Sequence, residues 1–490
     1  METFADRLKA AMNEQGLKQV DLVRLAQQKG IKLGKSHVSQ YVSGKTIPRT
    51  DILHFLADAL QVDPDWLNNN NDNDSTLSDV DKIQTSADNS GGMKVREFKK
   101  SSKLNNVLYD VRGPVVDEAA KMEEMGTHVL KLNIGNPAPF GFRTPDEVIY
   151  DMSRQLSDCE GYSASAGLFS ARKAIMQYAQ LKHLPNVTMS DIYTGNGVSE
   201  LINLTMSALL DTGDEILIPS PDYPLWTACA TLAGGKPVHY ICDEQSDWYP
   251  DIEDMRKKIN DRTKAIVIIN PNNPTGVVYG EETIKRLAAI LEAKQKEYGT
   301  DIYLISDEPY RELVYGGARV PFLTKYYDNT IIGYSFSKSL SLPGERIGYL
   351  VIPDEVTDSE EVISAANVAT RILGFVNAPT LQQKAVARCL NEKADLAFYD
   401  RNRETLYEGL KKAGFSCIKP EGAFYLFVKS PVEDEKEFCT RAKKYNLLLV
   451  PGSSFGCPGF VRLAYCVAYD TIVRSLPKFE KLAAEYREME

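Results

Sequence analysis

The sequence is poor in histidine, with five in 490 residues, and its eight cysteines (159, 229, 242, 389, 417, 439, 457 and 466) include no Cys-x-x-Cys pair. Imidazole and thiolate metal sites need those residues clustered, so no Cys/His metal centre is expected. Long apolar runs are missing as well. No stretch approaches the ~20 consecutive apolar residues needed to cross a bilayer, and Met1-Glu2-Thr3 leads into an amphipathic segment without an apolar leader core. The expected compartment is the cytoplasm, with reduced thiols. Positive charge is not in excess either. The net charge of -10 argues against general coating of nucleic acid or anionic membrane by the whole molecule, while leaving local basic patches open. No internal repeat stands out.

What is present is ordinary for a globular chain: 43% hydrophobic and 25% charged residues, with a length that allows about three structural units. Composition changes abruptly once. From Leu67 to Met93 the chain is rich in Asn, Asp and Ser and ends near Gly91-Gly92. Such a stretch buries too little to offset its ordering entropy, and residues 67–93 read as a flexible acidic linker. It divides a head, residues 1–66, from a body, residues 94–490.

The head carries helical spacing. Phe4, Leu8, Ala11 and Met12 form one apolar stripe, Val20, Val23, Leu25 and Ala26 a second, Val38, Tyr41 and Val42 a third, and Ile52, Leu53, Phe55, Leu56 and Leu60 a fourth. Gly16, Gly30, Gly34 and Gly44 punctuate them. In the body, short β-branched runs alternate with helical stretches such as Glu281 to Tyr298. The runs are Asp191–Thr194, Glu215–Ile218, Ala265–Ile269, Ile302–Ile305 and Thr330–Tyr334. This alternation implies parallel strands buried on both faces by crossover helices, and in such sheets ligands bind beyond the carboxyl ends of the strands.

Four polar groups follow those strands. They are Gly195-Asn196-Gly197-Val198-Ser199, Asn270-Pro271-Asn272-Asn273-Pro274-Thr275-Gly276, Ser306-Asp307-Glu308-Pro309-Tyr310, and Ser335-Phe336-Ser337-Lys338-Ser339 followed by Pro343-Gly344-Glu345-Arg346. Singly, each is an ordinary turn, cap or solvated lysine. Together and in this order, they resemble the class I/II pyridoxal-phosphate (PLP) dependent aminotransferases of fold type I, over about residues 94–490. Leu132 to Phe140 and Pro221 to Trp226 look like the alanine aminotransferase branch, whereas Leu342 to Tyr349 reads like the broader class.

The resemblance implies an α/β body with a large domain of parallel or mixed sheet, about residues 145–352, and a smaller α+β domain from 94–144 and 353–490. It implies PLP as cofactor, with Lys338 as the Schiff-base amine that then moves the substrate proton, and Asp307 against the pyridine nitrogen to keep it protonated. Asn273 and Tyr310 would hydrogen-bond the ring hydroxyl, and Tyr223 would stack on the ring. Gly197, Val198 and Ser199 would meet the phosphate with backbone N–H groups at a helix N-terminus, and Ser335, Ser337 and Arg346 with hydroxyls and a guanidinium. Arg462 would clamp the substrate carboxylate, with Gly135 and Asn136 nearby. Tyr162 matches a tyrosine that reaches the phosphate across a homodimer. Arg371 lies near the region of a second, cross-subunit arginine, but its spacing to Asn377 is off. The implied reaction is ping-pong transamination of an alanine-like amino acid with a 2-oxo acid such as 2-oxoglutarate or pyruvate.

Leu17 to Leu22 and Val38 to Pro48 resemble the Cro/C1 (XRE) helix-turn-helix family, whose recognition helix enters the major groove of DNA. The resemblance places Gln19, Lys35, Ser36, His37, Ser39 and Gln40 toward DNA and Lys45 and Arg49 near phosphates. With nine Lys/Arg against eight Asp/Glu in residues 1–66, any positive field there is local. A helical interaction module is the plainer reading of the head. For the whole chain, two other classes use the same residues: a PLP- and amino-acid-sensing transcription regulator with little turnover, and a PLP-dependent β-lyase.

Overall fold

Five helices build the head: α1 (Phe4–Glu14), α2 (Gln19–Gln28), α3 (Lys35–Val42), α4 (Thr50–Leu60) and α5 (Pro64–Asn68). Local chemistry starts three of them. Thr3 Oγ1 accepts from the Asp6 amide while Asp6 Oδ2 accepts from the Thr3 amide, closing a capping box. Asp21 Oδ2 accepts from the Lys18 amide at 2.9 Å, and His37 Nδ1 from the Gly34 amide at 3.3 Å. The apolar stripes converge on Leu8, Leu22, Ala26, Val38, Leu56 and Leu60, all fully buried. Leu67 joins that core, so the folded head runs two residues past the point where composition changes. Burying a leucine is worth about 1.5–3 kcal/mol, enough to draw it out of a polar stretch.

The computed structural model describes residues 3–48, 50–62, 64–68, 101–104, 107, 113–137, 141–184 and 186–488. Positions 69–93 of the expected linker, and Arg49, lie outside the described residues. The chain divides into two compact units, Met1–Arg96 and Glu97–Glu490.

The strands of the second unit are β1 (Leu130–Lys131), β2 (Ile192–Gly195), β3 (Glu215–Ser220), β4 (Lys236–Ile241), β5 (Thr263–Ile269), β6 (Tyr303–Asp307), β7 (Thr330–Ser335), β8 (Gly348–Val351), β9 (Tyr425–Lys429), β10 (Leu447–Leu448), β11 (Val450–Pro451) and β12 (Phe460–Ala464). Seven form one sheet in the order β2-β8-β7-β6-β5-β3-β4. All its pairings are parallel except those of β8, which runs antiparallel to β2 and β7. The sheet is therefore mixed. Alternation along β5 sends Ala265, Val267 and Ile269 into one core layer and Ile266 and Ile268 into the other, as a sheet covered on both faces requires. Two reversals about β8 leave β2 parallel to β5, β6 and β7. All four polar groups named above thus emerge on one edge of the sheet.

A second layer system holds the three-stranded antiparallel sheet β11-β12-β9 and the parallel pair β1-β10. It packs on the helices Leu396–Ala413 and Tyr469–Arg487 around Phe424, Phe438, Leu463 and Phe479. The pairing Leu130↔Leu447, continued by Ala464 N–H donating to Leu132 O, carries residues 133–136 from the chain's first third to the sheet edge. Among the described residues no helix is long and apolar enough to cross a membrane.

Candidate active site

The strand-end groups enclose a cavity of about 590 Å³. Lys338 enters it from the one-turn helix Phe336–Ser339, which directly follows β7 and is capped by Ser335 Oγ accepting from the Ser337 amide. Its Nζ donates to Gly135 O at 3.0 Å and lies 5.1 Å from the Phe424 ring centroid. A substrate replacing those contacts would find a primary amine already aimed into the cavity.

Asp307, the last residue of β6, is 3% exposed. Trp226 Nε1 donates to its Oδ2 at 3.0 Å, while Oδ1 is buried and has no hydrogen-bond partner. Burial pushes the carboxyl up to about 7; the Trp226 bond opposes the rise and the neighbouring Glu308 adds to it. A buried acceptor without a donor is costly, and a protonated ring nitrogen is the kind of donor that would relieve it.

At the end of β2, Gly197 stands at φ +79° as the N-cap of the helix Val198–Leu209. A Cβ there would meet Arg346 Nη2 at 2.6 Å, so glycine is required twice, by backbone and by space. Glu200 holds this loop by accepting from both the amide and the side chain of Asn196. Arg346 takes a left-handed backbone (φ +53°) and donates to Pro343 O at 2.9 Å. Ser335 Oγ and Ser337 Oγ lie 2.8 Å apart. Val198, Ser199, Ser335, Ser337 and Arg346 all line the cavity. This cluster of amides, hydroxyls and a guanidinium at a helix N-terminus could hold a phosphate dianion.

On the opposite wall, Arg462 of β12 is 3% exposed. Its Nη1 donates to Asn273 Oδ1 at 3.0 Å, and its guanidinium lies over Tyr425 and Phe455 at 4.2 and 4.5 Å. Its Nε has no partner, and Asn133 Oδ1 and Asn136 Oδ1 beside the cavity are likewise unsatisfied. Arg462 has no carboxylate within ion-pair distance among the described residues. A buried cation matched only by neutral groups is poised for an incoming anion. Tyr310 OH and Tyr425 OH stand 3.3 Å apart. Burial first, then Tyr425, holds the Tyr310 phenol well above its ordinary pKa, so it remains a proton donor.

Gly135, Asn136 and Tyr223 complete the lining. Two residues from the sequence reading lie elsewhere. Tyr162 is 90% exposed and does not line the cavity, and Arg371 donates from Nε to Ser165 Oγ at 3.2 Å. In the head, Lys35, Ser36, His37, Ser39, Gln40 and Lys45 are exposed and Gln19 is half-buried; the His37 ring also caps α3 through Nδ1.

Sequence reasoning gave no role to Trp226, Tyr425 or Asn133. Trp226 follows Tyr223 by three positions at the start of the helix Leu225–Leu232, and helical spacing could have put both on one side of the sheet edge. Tyr425 needs the β9–β12 register. Phe427 pairs with Arg462, so Tyr425, two residues away, shares the arginine's face.

Residues 127–474 match the family model "Aminotransferase class I and II", and residues 8–67 match the family model "Helix-turn-helix". The glutamate-pyruvate aminotransferase AlaA of Escherichia coli (strain K12) is 41% identical over 80% of this chain and 99% of its own length. An alanine aminotransferase of Mycobacterium tuberculosis (strain ATCC 25618 / H37Rv) is 38% identical over 79% of this chain and 92% of its own. Among solved structures, the alanine aminotransferase from Pyrococcus furiosus superposes with a TM-score of 0.72 at 34% identity, covering 79% of this chain and 100% of that one. These relatives favour neither the sensing-regulator nor the β-lyase reading. Behind its helix-turn-helix head, the chain belongs to the class I and II aminotransferases.

Proposed function

We propose that the protein is a PLP-dependent transaminase that passes the amino group of a small amino acid, alanine or glutamate, to a 2-oxo acid. The observation that carries this reading is the convergence on one cavity of a primary amine (Lys338), an orphaned carboxylate oxygen (Asp307) and a buried cation with no counterion among the described residues (Arg462). The residues present fit PLP: Gly197, Ser199, Ser335, Ser337 and Arg346 for its phosphate, Asp307 for its ring nitrogen, Asn273 and Tyr310 for its ring oxygen, and Tyr223 for its face. When bound, PLP supplies a carbonyl that takes up the amino group and a ring that acidifies the substrate's α-hydrogen. Arg462 binds the substrate carboxylate and, with Asn273, orients the α-carbon. Lys338 Nζ would serve as the base that takes the proton from that carbon and as the acid that gives it back from the same side. Asp307 keeps the ring nitrogen protonated throughout. The names of the relatives support glutamate, pyruvate and alanine as the substrate class.

The same reading makes the body a cytoplasmic homodimer, with Tyr162 serving the partner's phosphate site; its 90% exposure in one subunit suits a residue that works across an interface. We assign DNA binding to the head, through α3 and Lys45. The assay for the catalytic claim offers L-alanine, L-aspartate and L-glutamate in turn to the PLP-loaded protein with 2-oxoglutarate or pyruvate as acceptor. Pyruvate from L-alanine and 2-oxoglutarate, with aspartate poor, is the expected outcome. Ammonia release from L-serine or L-cysteine in place of amino transfer would overturn it.

A further inference from the structure

The one-turn helix that presents Ser337 and Lys338 to the active-site cavity presents Phe336 and Ser339 to a different one. This second cavity, of about 750 Å³, shares no lining residue with the first. Its volume lies in the range of small-molecule sites, and its aromatic walls, among them Tyr178, Phe322, Tyr334 and Tyr349, suit a flat apolar body.

The charges on its wall are unbalanced. Six charged residues line it: Lys182, Arg311, Glu312, Arg319, Glu392 and Lys393. Arg311 is already matched outside the cavity by Glu308, and it donates to Val320 O and Pro321 O. The carboxylate of Glu312 accepts from Tyr178 OH at 3.0 Å and from Tyr334 OH at 2.7 Å. Lys182, Arg319 and Lys393 are exposed at the rim, and none of the three forms an ion pair among the described residues. Against Glu312 and Glu392 they leave one positive charge in excess.

We propose that this cavity binds an aromatic monocarboxylate, and that its occupancy is felt at Lys338. The hydrogen bonds supply the route. Tyr334 OH stands 2.7 Å from both Glu312 and Ser339 Oγ; having one proton, it donates to the carboxylate and accepts from the serine. Ser339 follows Lys338 directly, and its carbonyl accepts from the Ala394 amide at 2.9 Å, two residues before the helix Leu396–Ala413 begins. A ligand whose ring displaces Tyr334, or whose carboxylate draws in Lys393 and shifts the 391–394 loop, therefore pulls on the helix holding the catalytic amine. Binding stands independently of the transaminase reading, whereas the coupling rests on it.

The test uses benzoate and the full-length, cofactor-loaded protein. Binding is measured by saturation-transfer NMR in Arg462→Ala, which removes the active-site carboxylate clamp, and in Arg462→Ala combined with Lys182→Ala, Arg319→Ala and Lys393→Ala. Binding is expected in the first and at least tenfold weaker binding in the second. In the protein with Arg462 intact, benzoate should change kcat for saturating L-alanine at least twofold. The Lys182→Ala/Arg319→Ala/Lys393→Ala variant should keep its kcat without benzoate and lose that response. Benzoate that binds only when Arg462 is present, or equally with and without the three rim cations, overturns the site. Binding at the rim cations with kcat unmoved overturns the coupling. Absence of L-alanine turnover would count against the transaminase reading and leave the binding arm to be judged alone.

Discussion

Replacing Asp307 by Asn should affect the cofactor-free and cofactor-bound protein in opposite directions. In the cofactor-free chain, burial lifts the carboxyl from an ordinary 3.8 to about 7. The folded value lies above the unfolded one, so between pH 4 and 7 the native state holds a proton that the unfolded state has lost. Stability therefore falls as pH rises through that window and levels off above it. The gap of about three pH units corresponds to ~4 kcal/mol at pH 8, against ~1.6 kcal/mol at pH 5, at 1.36 kcal/mol per unit. Asn mimics the protonated acid and does not titrate. The stability of cofactor-free Asp307→Asn relative to the wild type should thus improve by roughly 3 kcal/mol between pH 5 and pH 8. With PLP bound, the carboxylate gains its cationic partner and the order reverses. The assay is urea unfolding of both proteins at the two pH values, with and without saturating PLP. A pH-independent difference in the cofactor-free pair, or no reversal with PLP, would refute the assignment of a strained, cofactor-directed carboxylate. Activity of Asp307→Asn should fall at least a hundredfold, equivalent to about 2.7 kcal/mol of barrier.

Trp226→Phe removes the indole N–H that donates to Asp307 Oδ2; a hydrogen bond to a charged group is worth about 1.5–3 kcal/mol, so PLP should bind ~10–100-fold more weakly at pH 8 by equilibrium titration. Gly197→Ala places a methyl 2.6 Å from Arg346 Nη2 on a backbone that disfavours side chains; it should weaken PLP binding by roughly tenfold or more in the same titration, at a strain of about 1–3 kcal/mol. Arg462→Ala should lower kcat/KM for L-alanine by ~10³-fold, as expected for truncating one partner of a buried charge pair at a cost of about 2–5 kcal/mol, with the far-ultraviolet circular dichroism unchanged. In the head, Lys45→Ala should reduce the slope of log K against log salt by about one in full-chain gel shifts, if it contacts a phosphate; an unchanged slope would move it off the interface.

The alternation of β-branched runs and helical stretches located five of the seven central strands, because strands buried on both faces read as continuous apolar runs. The two it passed over are of other kinds. Lys236–Ile241 is an edge strand containing Pro237 and His239, with only Tyr240 buried, and it carries no buried run. Gly348–Val351 is four residues long and antiparallel to both neighbours, a direction that local pattern cannot encode. Most of the cavity lining was legible because Asn273, Asp307, Lys338 and Arg346 sit in contiguous motifs at strand ends. Trp226, Tyr425 and Asn133 were not, since their roles arise from packing between segments far apart in the chain. Leu67 shows the converse at a boundary: its neighbours are those of a linker, but its own side chain finds a core.

The most direct measurement is a single turnover without an acceptor. PLP-loaded protein, stripped of free cofactor, is mixed with excess L-alanine, and the pyruvate released is counted against protomers. About one pyruvate per protomer is expected, with none from Lys338→Ala at matched PLP occupancy. Equal release from the Lys338→Ala protein would contradict it.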